Sequence, residues 1–337
     1  MDRSAVLATK IRSAYAPCSL GDWPTPLEAH PSLAHAVGLD ALWLKREDHA
    51  GGNKVRGLEF LFAGMPAGSV FVTVGGTGSS HCLTTARFAR AQGYRTAVAL
   101  FDQPETDISR RVAAATRVAA DVVVCATSPL TLPWALVRAW RAARRLGPRT
   151  PRWIPGGGAE PRAVIGHFLA ALELGLQLDA PPDAIVVPLG TGGTIAGLAL
   201  GLAIGGLASE IIGVRVVSRI VANEFRVRRL VASTSRLLER LTSERVLERK
   251  AVRVSISHHF FGGAYGRPIA AGNAAAQRFA DLTGVIVDAT YGAKALAAAV
   301  ALAKQHRGTT LFWLSFDGRW LRRDPGTTAQ PDVVALA

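Results

Sequence analysis

Lysine is scarce in this chain of 337 residues: of 39 basic side chains only six are lysines (Lys10, Lys45, Lys54, Lys250, Lys294 and Lys304), which leaves 33 arginines. Cysteine is scarcer still. Cys18, Cys82 and Cys125 lie far apart, with no CxxC pair and no histidine at ligand spacing, so neither a disulfide framework nor a metal site is expected. No long hydrophobic run occurs. The longest, Gly197 to Ser209, is about half of what a bilayer-spanning helix needs and holds four glycines, so no membrane segment or membrane partner is expected. The first residues carry Asp2, Arg3, Lys10 and Arg12 without the apolar core of a signal peptide, which reads as a cytoplasmic protein. Linkers rich in Ser and Gly, internal repeats and long charge runs are also missing. With 49% apolar and 19% charged residues disorder is excluded, and the length allows one large domain or two moderate ones.

The 39 basic against 25 acidic residues give a formal charge of +14. Such a balance can mark a polyanion partner. However, the two clusters at helical spacing (Arg138, Arg141, Arg144, Arg145 and Arg149; Arg226, Arg228, Arg229, Arg236 and Arg240) come without a zinc-finger, helix-turn-helix or RNP signature. They read as solvated helix faces, and no specific nucleic-acid partner is expected.

Short Val-, Ile- and Leu-rich runs recur at 41–44, 70–74, 96–101, 122–125, 153–154, 185–189, 211–217, 285–287 and 311–314. They read as buried strands. Between them, 79–92, 130–146, 159–178 and 293–306 show helical spacing. Strand and helix in alternation predict an α/β protein with open, twisted, mostly parallel sheets and helices on both faces. Most Gly and Pro clusters follow strands, where ligands bind in such sheets.

Three of these loops can carry chemistry. Pro188-Leu-Gly-Thr-Gly-Gly-Thr194 follows a strand and opens an apolar helix; its glycines let successive N–H groups converge, as in a phosphate cup. Neither a Walker ending nor GxGxxG spacing is present, so a nucleotide motif is not supported, and a ligand-free tight turn is the competing reading. Gly51-Gly-Asn-Lys54-Val-Arg56 places a lysine at a helix start near N–H dipoles and the charge of Arg56, surroundings that disfavour a protonated amine. A neutral amine is a nucleophile suited to Schiff-base formation; a solvated lysine is the alternative. Val74-Gly-Gly-Thr-Gly-Ser-Ser-His-Cys82 brings hydroxyls and an imidazole to a helix start, where they suit an amino-acid carboxylate. Ser79 could equally be an N-cap and His81 a core residue.

In this order and at these separations the loops resemble the fold-type II pyridoxal-phosphate enzymes, specifically the D-cysteine desulfhydrase and 1-aminocyclopropane-1-carboxylate deaminase family. Further matching segments are Trp23-Pro-Thr-Pro-Leu27, Leu44-Lys-Arg-Glu-Asp48, Ile154-Pro-Gly-Gly-Gly158, Ala264-Tyr-Gly266 and Asp288-Ala-Thr-Tyr-Gly-Ala-Lys-Ala295. The resemblance implies the tryptophan synthase beta-like architecture, with a large domain from residues 1–55 and 152–337 and a small domain, 56–151, inserted in it. It implies pyridoxal 5′-phosphate as cofactor, a small amino acid as substrate and a homodimer. It also implies roles. Lys54 would carry the Schiff base and move the Cα proton; Asn53 would bond the phenolic oxygen; Gly190, Thr191, Gly192, Gly193 and Thr194 would hold the phosphate. Ser79, Ser80 and His81 would meet the substrate, Ser79 also assisting proton transfer. Tyr265 and Tyr291 would act near the scissile bond, with rim or core aromatics as the alternative reading.

The chain departs from the family at several places. Ser80 stands where the family has Asn, and Gly292 where its deaminases carry a glutamate, which turns the expectation away from aminocyclopropanecarboxylate. The family's His-Thr-Gly-Gly is replaced by Leu314-Ser-Phe-Asp-Gly318, in which Ser315, or alternatively Asp317, would face the pyridine nitrogen. The leading expectation is β-elimination giving a 2-oxo acid and ammonia. β- or γ-replacement on a specialised amino acid shares its early steps, and a non-catalytic cofactor-binding or polyanion-binding protein is the alternative of another class. An NADP-linked oxidoreductase, suggested by Arg219 after a strand, fails on glycine spacing.

Overall fold

The structure is a computed structural model and describes residues 3–243, 252–304 and 308–322. Its strands in chain order are β1 (Leu27–Ala29), β2 (Ala41–Arg46), β3 (Val70–Gly76), β4 (Arg95–Phe101), β5 (Val122–Ala126), β6 (Arg152–Trp153), β7 (Ala184–Leu189), β8 (Glu210–Arg215), β9 (Val254–Ser257) and β10 (Thr309–Leu314). Its helices are α1 (Arg3–Tyr15), α2 (Pro31–Val37), α3 (Lys54–Phe62), α4 (Ser80–Ala91), α5 (Asp107–Ala119), α6 (Leu132–Ala143), α7 (Pro161–Gln177), α8 (Gly193–Gly205), α9 (Glu224–Thr242), α10 (Ala270–Thr283) and α11 (Gly292–Ala303).

Two sheets result. The larger runs β1-β2-β10-β7-β8-β9, parallel throughout except for β1 against β2. The smaller, β5-β4-β3-β6, is entirely parallel. Period-2 alternation sends neighbouring residues to opposite faces. Val186, Phe312 and Leu314 pack with α2, α10 and α11, whereas Ile185, Val187, Leu311 and Trp313 pack with α7 and α8. The smaller sheet divides likewise: Val98 and Leu100 meet α4 and α5, and Val70, Val72, Ala97 and Ala99 meet α6. This is the α/β architecture expected.

Several elements differ from the sequence reading. Val285 to Val287 form no strand. Val285 and Val287 pack into the large-sheet core while Ile286 joins the small-sheet core, so the run is apolar because it is buried from two sides. β1 and β9 were not expected; both are short, and β9 is half Ser. The helix expected over 293–306 spans Gly292–Ala303, and 305–306 lie outside the described residues. Among the described residues no helix is long and apolar enough to cross a membrane.

Close approach of α7 to its neighbours sets the position of the loops. A Cβ on Gly166 would lie 2.0 Å from the Arg56 carbonyl of α3, and one on Gly201 of α8 would lie 2.5 Å from the Ala171 Cβ. Only glycine fits at either contact. α3 and α8 therefore both pack closely on α7, and their N-termini, which carry Lys54 and the 190–194 loop, line one cavity.

Candidate active site

α3 begins after the Gly51–Gly52 turn, and the Asn53 N–H donates to the Ser315 carbonyl (3.0 Å), tying the helix start to the end of β10. Lys54 is half-buried and lines a cavity of about 800 Å³. Burial pushes its amine down to about 8. The expected contribution of Arg56 is corrected by its geometry. Arg56 is 2% exposed and stacks on Trp23 at 4.0 Å. It donates to Glu47 at 2.6 and 2.8 Å and to Glu173 at 3.0 and 2.9 Å. Its charge is spent on these carboxylates, so desolvation alone weakens the proton on Lys54. Thr25 donates its hydroxyl to Glu47 (2.8 Å), Trp23 its indole N–H to Glu59 (2.8 Å), and Lys45 its ammonium to Glu173 and Gln177. The segment from Trp23 to Leu27 is thus part of a buried charged foundation beneath Lys54.

Opposite α3, the loop after β7 turns through Gly192 at φ +90°, and the first-turn N–H groups of α8 have no acceptor within the helix. Gly190, Thr191, Gly192, Gly193 and Thr194 all line the cavity, and Asn53 Nδ2 donates to Thr194 Oγ1 at 3.0 Å. Ser315 lines the same cavity, whereas Asp317 is held by Arg319 at 3.0 and 3.2 Å and lines a small neighbouring pocket instead.

From the smaller sheet, the turn after β3 delivers Ser79, Ser80 and His81 to the cavity. Ser79 caps α4, its Oγ accepting from the Cys82 N–H at 3.3 Å. The Thr73 hydroxyl donates to the Ile154 carbonyl (2.9 Å), so His81 Nε2 donates to Thr73 (2.8 Å), and its Nδ1 has no partner. Burial and the charge of Lys54 push this imidazole down to about 3, leaving it neutral with one open acceptor.

Tyr265 and Tyr291 also line the cavity, with their hydroxyls 3.1 Å apart. Burial, chiefly, holds both well above the usual phenol value, so both keep their protons. Tyr291 is set by Asp288, whose carboxylate accepts from the N–H groups of Thr290, Tyr291 and Gly292 at 3.1, 2.8 and 3.0 Å. A Cβ on Gly292 would lie 2.8 Å from Val287 Cβ, so the tight cap leaves no room for a glutamate there. Lys294, fully buried, donates to the Phe261 carbonyl (2.7 Å) and fixes the base of the loop that carries Tyr265.

Two features escaped the sequence reading. Asp288 was noted within a motif but not as the clamp of Tyr291. Arg226, grouped with a solvated helix face, instead lines the cavity and donates from Nε to the Thr191 carbonyl at 3.2 Å. Nothing in its spacing separates it from Arg229 or Arg236.

The donor set fits pyridoxal 5′-phosphate. An amine of lowered basicity, a side-chain amide, a glycine cup at a helix N-terminus and a serine hydroxyl share one cavity, and no three His, Cys, Asp or Glu side chains gather as metal ligands among the described residues. The family model described as "Pyridoxal-phosphate dependent enzyme" matches residues 18–315. A D-cysteine desulfhydrase of Klebsiella pneumoniae (strain 342) is 32% identical over 298 residues, covering 84% of this chain and 87% of that protein. Among solved structures, an ACC deaminase homologue superposes with TM-score 0.76 at 26% identity, covering 91% of this chain and 94% of the other. Threonine deaminase isoform 2 from Solanum lycopersicum shares the fold, with TM-score 0.64 at 18% identity over 94% and 90% of the two chains. With its cavity and its relatives in agreement, the chain belongs to the pyridoxal-phosphate dependent enzymes, and pyridoxal 5′-phosphate is its cofactor.

Proposed function

We propose that this enzyme eliminates a β-substituent from a small amino acid in the manner of a D-cysteine desulfhydrase, releasing a 2-oxo acid and ammonia. The observation that carries this reading is the protonated Tyr265–Tyr291 pair sharing a cavity with the weakly basic Lys54. Elimination needs a base at Cα and an acid at the leaving group, and these are the groups available for the two tasks.

When bound, the cofactor holds the substrate nitrogen and withdraws electrons from Cα. Lys54 would attach it, the N–H groups of Gly190 to Thr194 would take its phosphate, Asn53 its phenolic oxygen and Ser315 its pyridine nitrogen. A neutral hydroxyl at that nitrogen leaves it unprotonated and moderates electron withdrawal. Ser79 and Ser80, at the positive end of α4, would hold the substrate carboxylate. The amine of Lys54 would then take the Cα proton, and the Tyr265–Tyr291 pair would hand a proton to the departing β-group. Val74, Phe101, Leu132 and Phe316 give the cavity an apolar lining that would limit water around this exchange.

The purified holoenzyme, incubated separately with D-cysteine, L-cysteine and β-chloroalanine, is expected to release pyruvate, with sulfide from at least one cysteine isomer. Absence of product from all three would refute elimination. Lys54→Ala should abolish both turnover and the borohydride-sensitive absorbance of the bound cofactor.

A further inference from the structure

We infer that Arg226 is a second phosphate ligand of the cofactor site, working alongside the glycine cup. This rests on the reading of Gly190 to Thr194 as the phosphate holder. A phosphomonoester carries about −1.5 to −2 charges at neutral pH. A helix N-terminus offers the equivalent of only about half a positive charge. The cup by itself leaves roughly one negative charge uncompensated in a largely apolar cavity, so a cation is called for. Among the side chains that line this cavity only Lys54 and Arg226 are basic enough to supply it, and Lys54 is reserved for the Schiff base.

Arg226 is placed for the task. It lies in the first turn of α9, its backbone N–H donating to the Asn223 cap at 2.9 Å and its Nε to the Thr191 carbonyl at 3.2 Å. The guanidinium is therefore fixed against the cup from outside the β7–α8 turn. Among the described residues no carboxylate takes its terminal nitrogens; the neighbouring acid, Glu224, pairs with Arg228 (2.9 Å). An arginine so held presents planar N–H donors suited to a phosphate oxygen.

The test compares pyridoxal 5′-phosphate with pyridoxal, which forms the same Schiff base without the phosphate. Dissociation constants are measured by absorbance titration of the cofactor-stripped protein for wild type, Arg226→Gln and Arg226→Lys. The expected result is that Arg226→Gln weakens pyridoxal 5′-phosphate about tenfold and leaves pyridoxal unchanged. Arg226→Lys, which keeps the charge but not the planar Nε, should recover most of the loss. The salt dependence of phosphate-form binding should be shallower in Arg226→Gln than in wild type. If wild type prefers the phosphorylated form and Arg226→Gln keeps that preference in full, the inference about Arg226 is overturned while the cup stands. If wild type shows no preference, the cup reading itself fails. If Arg226→Lys is as weak as Arg226→Gln, the Thr191 hydrogen bond and not the charge is responsible, and the inference is again overturned.

Discussion

Replacing Arg56 by methionine tests the buried foundation on which the site stands. The guanidinium is 2% exposed and donates four hydrogen bonds to two carboxylates, Glu47, which is fully buried, and Glu173. Lys45, Arg56, Glu47 and Glu173 form a balanced quartet, and methionine fills much of the arginine stem's volume while leaving one uncompensated negative charge. Breaking a buried pair by removing one partner costs about 3–5 kcal/mol. The assay is urea unfolding of the cofactor-free protein at pH 7, with the holoenzyme as a second series. Adding Glu47→Gln to the variant removes the orphaned charge, so the double variant should be more stable than Arg56→Met alone. A pH arm follows from Glu173. Burial would raise its carboxyl, but Arg56 and Lys45 outweigh that and hold it below the usual range. In wild type its contribution is therefore present above the unfolded value near pH 4 and lost as pH falls through the lower folded value. Arg56→Met has less to lose, so the gap between the two proteins should narrow toward acid. A variant within about 1 kcal/mol of wild type, or a double variant less stable than the single, would refute this account of the network.

Four further outcomes are expected. The rate of cofactor capture by the stripped protein should rise with pH and level off near 8, because burial lowers the amine of Lys54 to about that value; a rise continuing beyond pH 10 would mean an ordinary exposed lysine. The same shift makes the unfolded chain bind more protons than the folded one between about pH 8 and 10.4, so this residue's contribution to stability increases with pH over that window. Tyr265→Phe should slow the turnover of cysteine about 10²- to 10⁴-fold but that of β-chloroalanine much less, since chloride departs without a proton; equal losses would remove the tyrosine pair from the acid role. Gly201→Val inserts side-chain carbon where a Cβ alone would stand 2.5 Å from Ala171, and should destabilise the protein by about 1–3 kcal/mol in calorimetry and weaken cofactor binding as α8 is displaced.

The strands most legible in the sequence were those buried on both faces, such as β7, where Ala184 to Leu189 are all buried. Strands with few partners or little apolar content, β1 and β9, gave no such signal. Val285 to Val287 imitated one because a linker buried between two cores needs the same residue types. The loop glycines announced where the chain must turn or approach another segment closely, and these loops do meet at one cavity.

What the sequence could not distinguish was the fate of its arginines. Arg56 beside Lys54 read as a neighbouring charge, yet it points into a cage of carboxylates drawn from β2–α3 and α7, segments more than 100 residues apart. Arg226 read as one of a solvated row, yet α9 leaves the sheet beside the β7–α8 turn and brings this one guanidinium to Thr191. Local spacing specifies which face of a helix a side chain shares, and it says nothing about what stands opposite that face. The order of loops, the scarce lysine and the glycine turns were therefore fixed by sequence. The neutralisation of Arg56, the clamp of Asp288 on Tyr291 and the facing of Arg226 toward the cup were decided only when α7 brought α3 and α8 together, because electrostatics depends on distance in space and not along the chain.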